Sequence, residues 1–376
     1  MVAVEAVLWV VLGLLLWTHI GYPLCAWALA GLRPRPVRRG DLFPTVTVLV
    51  AAHNEEDLIK RRITNLLELD YPAERLELIV ASDASTDNTD SIVERMAQGR
   101  AEVRLVRCPR GGKVAAQNAA VRQARGEIVA FSDANAIWAP DALRLLVRSF
   151  ADPDVGYVCG QLSLERAGGT NREGAYWRYE MWLREQESRL GSITGGNGAI
   201  YAVRRADYVE VDPRFGHDLA FPYLMVQCGR RAVYEADAHA TEKPSRDIEH
   251  EFRRKVRMFE HCWLIVLRGG MFRGGGPLYL LKLLSHRFLR YSSGLLHLVL
   301  LGTSIALVGQ GSIYQAVLGL QAVGLALALA AGLRLPVPGA GLALYYVLVS
   351  WATVLALARY LRFGVPAVWE RTEGTR

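Results

Sequence analysis

The chain has 376 residues, enough for one large domain or two small ones. Hydrophobic residues make up 51% and charged residues 22%, the apolar ones gather at the two ends, and the formal net charge is +7. The five cysteines (Cys25, Cys108, Cys159, Cys228 and Cys262) are odd in number and lack paired metal spacing, which argues against a disulfide framework; a basic chain with apolar ends points to lipid and phosphorylated small substrates, with no nucleic acid as partner.

Residues 3–31 are apolar except for Glu5, His19 and a few small polar groups. That is long enough for one membrane-spanning helix, which needs roughly 20 residues. No Lys or Arg precedes Arg33, and the apolar core exceeds that of a signal peptide, so 1–31 reads as an N-terminal transmembrane helix. Arg33, Arg35, Arg38 and Arg39 follow in a Pro-rich basic linker over 32–44. By the positive-inside rule the linker and the next domain are cytoplasmic, at an inner or plasma membrane.

Residues 45–52 form a β-branched apolar run and predict a strand. His53-Asn54-Glu55-Glu56 follows, with Asn54 placed to cap a helix over 55–68. A second strand, 76–82, runs into Asp83-Ala84-Ser85-Thr86-Asp87 and a helix to about residue 96. A third strand covers 103–107, and Gly111-Gly112-Lys113 opens a helix to about 125. The apolar run 127–132 then ends in Asp133-Ala134-Asn135, and Pro140 stands near the first turn of another helix. Strands alternating with helices imply a parallel, doubly wound sheet. Open sheets of this kind bind ligands outside the carboxyl ends of their strands. Asp133 at such an end has two readings. It caps the next helix, or it is a hard oxygen ligand for a Mg²⁺ or Mn²⁺ ion that holds phosphates.

A strand is expected over 155–164 and a helix over 171–190, the latter carrying Tyr176, Trp177, Tyr179 and Trp182. Gly195-Gly196-Asn197-Gly198 reads as a turn feeding a strand, and Phe215-Gly216-His217-Asp218 as the entry to a helix. A strand over 231–235 and a helix over 249–266 complete the domain 45–268. That helix contains Arg253-Arg254-Lys255-Val256-Arg257-Met258. Beyond Gly274-Gly275-Gly276, residues 277–290 mix apolar residues with Lys282, His286, Arg287 and Arg290, the pattern of a helix lying in a membrane interface. Three apolar stretches within 291–362 (291–309, 312–332 and 340–361) are each long enough to span. A tail occupies 363–376. One span before a cytoplasmic domain and three after it would put the tail outside, yet Arg359, Arg362, Arg371 and Arg376 favour the inside. Either one stretch is re-entrant or the tail breaks the rule.

Taken together, these motifs resemble the membrane-embedded branch of glycosyltransferase family 2, which includes hyaluronan, chitin and cellulose synthases and the rhizobial chitooligosaccharide synthases. The resemblance covers nearly the whole chain. It implies a GT-A catalytic domain with a Rossmann-like mixed sheet, a UDP-sugar donor, a divalent cation (Mg²⁺ or Mn²⁺) and inversion at the anomeric carbon. The acceptor would be a glycan or a lipid-linked sugar. By position, Ala52, Asn54 and Glu55 look like the nucleotide-facing turn, and Asp83 like the acid that meets the uracil. Lys113 resembles the lysine of the family's Gly-Lys segment, at a helix start that attracts phosphate. Asp133-Ala134-Asn135 resembles the Asp-x-Asp metal motif with Asn135 in place of the second acid, and His217 could add a third ligand. Asp218 falls on the catalytic base, with His217 in place of the neighbouring acid. Gly196 and Asn197 resemble the acceptor-side loop, with His217 beside it. Arg253, Arg254 and Arg257 align with the Gln-x-x-Arg-Trp segment that grips the diphosphate, Met258 standing where the tryptophan would be. Loss of that tryptophan weakens the case for a long-chain polymerase, leaving single transfer to a lipid carrier or glycolipid as the alternative. A catalytically inactive nucleotide-sugar-binding scaffold is a reading of another class.

Overall fold

The computed structural model describes residues 1–164, 172–243 and 248–366; Arg371 and Arg376 lie outside these, as does the side chain of Tyr176. One eight-stranded sheet has the order β3-β2-β1-β4-β7-β6-β8-β5. Its strands are β1 (Val46–Ala52), β2 (Leu76–Asp83), β3 (Val103–Cys108), β4 (Ile128–Asp133), β5 (Ile137–Trp138), β6 (Val155–Leu164), β7 (Tyr201–Arg204) and β8 (Arg231–Glu242). The first half is parallel, as the alternation of strands and helices predicts: β1 pairs with β2 and with β4, and β2 with β3. The second half is not. β7 runs antiparallel to both β4 and β6, and β5 antiparallel to β8, so the sheet is mixed rather than doubly wound throughout.

Both faces of the central strands are covered. Leu49, Val129 and Phe131 belong to one apolar cluster, while Val48, Val50 and Ala130 belong to the other. This burial on two sides explains their near-continuous Val, Ile and Ala content. It also aligns the carboxyl ends of β1, β2 and β4 at one edge, with Ala51 in register with Asp133 and Ala52 with Ser82.

Among the described residues four helices are long and apolar enough to cross a membrane: Val2–Leu32, Ser293–Gln310, Ser312–Gly332 and Ala340–Phe363. The first has a wide π-type turn over Trp17–Gly21, just before Pro23, whose missing N–H breaks the regular ladder. Its 31 residues extend about 46 Å, more than the roughly 30 Å of hydrocarbon in a bilayer. The excess is used: Tyr22, Ala26 and Ala30 pack on Leu183 of the helix Arg172–Arg189 and on Leu190 just beyond its end. The last apolar helix also returns to the domain. Trp263 Nε1 donates to the Thr353 carbonyl at 2.9 Å, and Arg359 pairs with Glu260 at 2.6 Å.

Helical segment 276–291 departs from its expected orientation. Its apolar side is outward, exposing Leu278, Leu281 and Leu284, and its basic side is inward, with Lys282 and His286 each 2% exposed. The acids that draw it in, Glu180 and Glu187, sit on the helix Arg172–Arg189.

Candidate active site

The site is built by one turn. Residues 195–198 leave Thr194, cross the mouth of the sheet and enter β7. The Gly196 N–H donates to the Asp218 carbonyl at 2.7 Å. A Cβ on Gly196 would collide with the Tyr157 hydroxyl, and one on Gly195 with the Arg287 guanidinium. At Gly198 a Cβ would stand 3.0 Å from Lys113 Nζ and 3.2 Å from Asp133 Oδ2. The glycines are thus what lets the turn lie against Asp218 at one end and against Asp133 and Lys113 at the other.

Asp133, the last residue of β4, pairs with Lys113 at the start of the helix Lys113–Val121. Burial disfavours the Lys113 ammonium, but Asp133 and the more distant Asp218 and Glu242 outweigh it, so Lys113 is held above its ordinary range. Asp218 lies in the first turn of the helix His217–Gln227. Burial raises its carboxyl above the ordinary range; Lys113 opposes this and Asp133 reinforces it. A partly desolvated carboxylate with a raised pKa suits a general base near neutral pH.

His217 is 4% exposed, and its Nδ1 contacts the Tyr201 hydroxyl at 2.9 Å. Its ring stands edge-on to Phe131 and Phe221 at 5.6 and 4.6 Å. Burial, and then Lys113, push the imidazole well below its usual pKa, so it is neutral. The aromatic setting makes it a wall of the site, with its Nε2 buried and without a hydrogen-bond partner among the described residues.

Asn197 turns inward. Its amide donates to the Gly160 carbonyl at 2.8 Å, and its Oδ1 accepts from the N–H groups of Ala199 and Ile200 at 3.1 and 3.0 Å. These bonds hold the turn together and leave the amide committed to its own backbone.

Asn54 and Asp83 face each other across the ends of β1 and β2. Asn54 adopts φ 55°, and its Oδ1 accepts from the Thr86 N–H at 2.8 Å; the Glu55 N–H donates to Thr89 Oγ1 at 2.7 Å. Ala52 lies buried at the end of β1. Asp83 is 2% exposed, and its carboxylate accepts from the Gly111 and Gly112 N–H groups at 2.7 and 3.0 Å and from Arg110. It therefore fixes the Gly-Gly-Lys loop that presents Lys113.

The basic cluster divides. Arg253 is exposed and paired with Glu249, while Arg254 binds Glu251 through Nε and Nη2, each at 2.9 Å. Arg257 is partly exposed; burial and then Arg254 lower its pKa. Arg254 also acts electrostatically on Glu242, and His261, four residues beyond Arg257, on Asp218. The helix Ile248–Arg268 thus faces both carboxylates.

Three side chains escape a reading of the motifs alone. Glu242 ends β8 one step beyond the Ile137–Thr241 pair, on the side of Asn135. Burial first, then Asp133, lifts its carboxyl to about 7. Arg62 is fully buried under Trp138 and donates to Ser132 Oγ at 2.6 Å, directly beneath Asp133. Arg110 covers Asp83. The length of β8 was the hidden signal: exposed Asp237 and His239 alternate with buried Ala238 and Ala240, a period of two that is read only if charges are allowed on one face.

Two carboxylates and an amide are a set of hard oxygen donors, and burial first, then the Asp133 charge, raises the Glu242 carboxyl. Asp133, Asn135 and Glu242 thus fit a divalent cation. An open sheet with this constellation at its carboxyl edge defines a GT-A-type glycosyltransferase domain.

Comparison with known proteins agrees. Residues 47–211 match the model of glycosyl transferase family 2. A mannosyltransferase from Pyrobaculum calidifontis, solved in complex with GDP-Man and Mn²⁺, matches with a TM-score of 0.72 and 26% identity, covering 95% of this chain and 99% of that one. The beta-monoglucosyldiacylglycerol synthase of Synechocystis sp. is 32% identical over 186 residues, 46% of this chain and 39% of that enzyme. The poly-beta-1,6-N-acetyl-D-glucosamine synthase of Staphylococcus aureus is 31% identical over 212 residues, 54% of this chain and 51% of the synthase. The matches span about half or less of these curated relatives. Residues 47–211 are thus similar to glycosyl transferase family 2 in sequence, and the chain as a whole is similar in fold to the mannosyltransferase.

Proposed function

We propose that the protein transfers a sugar, with inversion, from a nucleotide-diphosphate donor (UDP in our reading) to a hydroxyl on a lipid-linked or glycan acceptor at the cytoplasmic face of a membrane. The observation that carries this is the turn 195–198, which bonds Asp218 through Gly196 and touches Asp133 and Lys113 through Gly198. A base and a diphosphate-binding group are thereby held a few residues apart.

In this reading Asp218 accepts the proton of the acceptor hydroxyl as its oxygen bonds to the anomeric carbon, and the bond to the diphosphate breaks with its electron pair. Lys113 and Arg257, with Arg254 behind, face the charge that builds on the leaving diphosphate. Asp133, Asn135 and Glu242 would hold Mg²⁺ or Mn²⁺, which when bound supplies further positive charge to the diphosphate. Asn54, Glu55 and Asp83 line the nucleotide end. The neutral His217 and its aromatic neighbours keep water from the base.

Met258, in place of a tryptophan over the base, favours single transfer to a lipid-borne acceptor over synthesis of a long polymer, as does the beta-monoglucosyldiacylglycerol synthase among the relatives. Val2–Leu32, Ser293–Gln310 and Ser312–Gly332 would cross the bilayer. Ala340–Phe363, tied to Glu260 and Trp263, would return the tail to the cytoplasmic face.

The test is nucleotide release from a panel of labelled UDP- and GDP-sugars by protein in nanodiscs with Mn²⁺, for wild type and Asp218→Asn. We expect turnover with one donor and a loss of about 10²- to 10⁴-fold in the variant, with nucleotide affinity kept. Equal rates would remove Asp218 as the base, and no turnover with any donor would favour a binding scaffold.

A further inference from the structure

Arg62 takes no part in the transfer itself, yet it is a full charge buried at the foot of the site. It lies on the helix Ile59–Leu67 and is fully buried. Nη2 donates to Ser132 Oγ at 2.6 Å, Nη1 donates to Asn65 Oδ1, and the guanidinium lies 5.1 Å from the centre of the Trp138 ring. Nε has no hydrogen-bond partner among the described residues. These neighbours are all neutral, and among the described residues no carboxylate is within ion-pair distance of Arg62. A guanidinium out of water is costly unless negative charge stands close enough to hold it. Here that charge comes from Asp133, and then Glu242, acting through space. Burial lowers the guanidinium to about 9 and the two acids oppose it, so Arg62 stays protonated at neutral pH.

The contacts also keep Arg62 in place. Asn65 pairs with both backbone groups of Trp138, accepting its N–H at 2.9 Å and donating to its carbonyl at 3.0 Å. Ser132 Oγ lies 3.2 Å from the Ala199 carbonyl, to which Trp138 Nε1 donates at 2.9 Å. Ser132 and Trp138 flank the segment that carries Asp133 and Asn135. The guanidinium is thus fixed beneath that segment and cannot swing away when a second cation arrives.

The charges around the cation site nearly cancel. Asp133 and Glu242 bring two negative charges, while Lys113, paired with Asp133, and Arg62 bring two positive ones. Arg62 in turn acts on Glu242. Lys113, at the surface of the site, can turn to another anion; Arg62 cannot.

We propose that Arg62 is a fixed counter-charge that weakens the hold of Asp133, Asn135 and Glu242 on Mg²⁺ or Mn²⁺, so that the ion is bound firmly only together with the donor diphosphate. The inference rests on the cation site proposed above. Arg62 touches neither substrate nor reacting atoms; it is a positioning residue that acts through Asp133 and Glu242. The diphosphate supplies the negative charge that these side chains lack, and it offers Lys113 a second partner. Ion and donor then load and leave together.

The test is a calorimetric Mn²⁺ titration of the full chain in nanodiscs, with and without UDP or GDP, for wild type, Arg62→Gln, Arg62→Lys and Ser132→Ala. Gln keeps a donor for Ser132 and loses the charge; Lys keeps the charge. We expect the nucleotide to tighten Mn²⁺ binding to wild type at least about tenfold. Arg62→Gln should bind Mn²⁺ alone at least about tenfold more tightly than wild type, and Arg62→Lys and Ser132→Ala should match wild type. A merely structural role would weaken the site instead, so the sign of the change separates the two. Equal or weaker Mn²⁺ binding by Arg62→Gln would overturn the proposal. So would a clear loss of affinity in Ser132→Ala, which sets contact against charge even were Arg62→Gln not to fold. Mn²⁺ binding to none of the proteins, even with nucleotide, would remove the cation site itself and this inference with it. Nucleotide affinity without metal, measured on the same samples, reports whether each variant folds.

Discussion

Glu242→Gln offers a sharp check of the cation site, because wild type and variant should respond oppositely to pH and to metal. The Glu242 carboxyl is raised from 4.5 to about 7, by burial and then by Asp133. The folded state therefore retains a proton that the unfolded chain gives up between these values. Stability is lost as pH rises through this window, and the ionised carboxylate carries on the order of 3 kcal/mol of unfavourable free energy without a cation. The amide has no such cost. Without metal, the melting temperature of wild type should fall between about pH 5 and about pH 8, whereas the variant should stay level and be the more stable at the upper end. Added Mn²⁺ should reverse the order, raising wild type while the variant, short of one ligand charge, binds at least about tenfold more weakly. Differential scanning fluorimetry across pH, with and without Mn²⁺, and a calorimetric Mn²⁺ titration read both effects. Matching pH profiles and matching Mn²⁺ affinities in the two proteins would refute the assignment of Glu242 to the site.

Gly196→Ala should lower turnover at least about tenfold, because overpacking against Tyr157 typically costs 1–3 kcal/mol and shifts the turn that holds Asp218; Tyr157→Phe in the same chain should restore part of the rate, and unchanged kcat in the single variant would count against the turn. Glu187→Gln should destabilise the protein by about 3–5 kcal/mol, since the buried carboxylate accepts from Tyr22 at 2.5 Å and from the Thr194 N–H and Oγ1 at 3.0 and 2.9 Å. Burial alone would raise Glu187, but His286, Arg287 and Lys282 outweigh it and hold it at about 2, so its contribution is complete above about 4.5 and is lost as pH falls toward 2; acid melts read this limb. Phe363→Cys in a Cys228→Ser background should react with an impermeant maleimide only from the cytoplasmic side, and labelling from outside would show that Ala340–Phe363 crosses.

Much of the site was legible because its chemistry is local. Asp83, Lys113 and Asp133 stand at strand ends and a helix start that hydrophobic patterning locates to within a residue or two. What was not legible depends on partners distant in the chain. Asn197 looked like a sugar-binding amide, but β6 supplies the Gly160 carbonyl that takes its N–H. Glu242 was invisible because its meaning comes from β5, a strand of two residues that no pattern would find. The mixed half of the sheet came from the family resemblance and not from the strand pattern: β7 has four residues, and its antiparallel direction is not written in its composition. The basic face of 276–291 misled because a helix with one apolar and one cationic side has the same pattern whether the cations meet lipid head groups or buried acids. Glu180 and Glu187, about a hundred residues earlier, decide between them.

That inversion bears on how the enzyme meets its membrane. With Leu278, Leu281 and Leu284 outward and Lys282, His286 and Arg287 inward, the segment is held by Glu187 and Thr194 on one side and presents an exposed apolar face on the other. Tyr22, from the N-terminal helix, bonds the same Glu187. Thr194, which Glu187 and Arg287 both bind, is two residues from the N–H that holds Asp218. Asp218, the base in our proposal, is thus linked by a short series of buried polar contacts to a segment whose apolar side is exposed. Detaching the membrane helices would leave Glu187 without Tyr22 and His286 and the turn without Arg287, while the nucleotide end, built on β1, β2 and β4, would keep its own core. A domain cut free of its helices should therefore retain nucleotide binding far better than transfer, and the two losses together would show that the membrane segments belong to the catalytic site rather than serve only as its anchor.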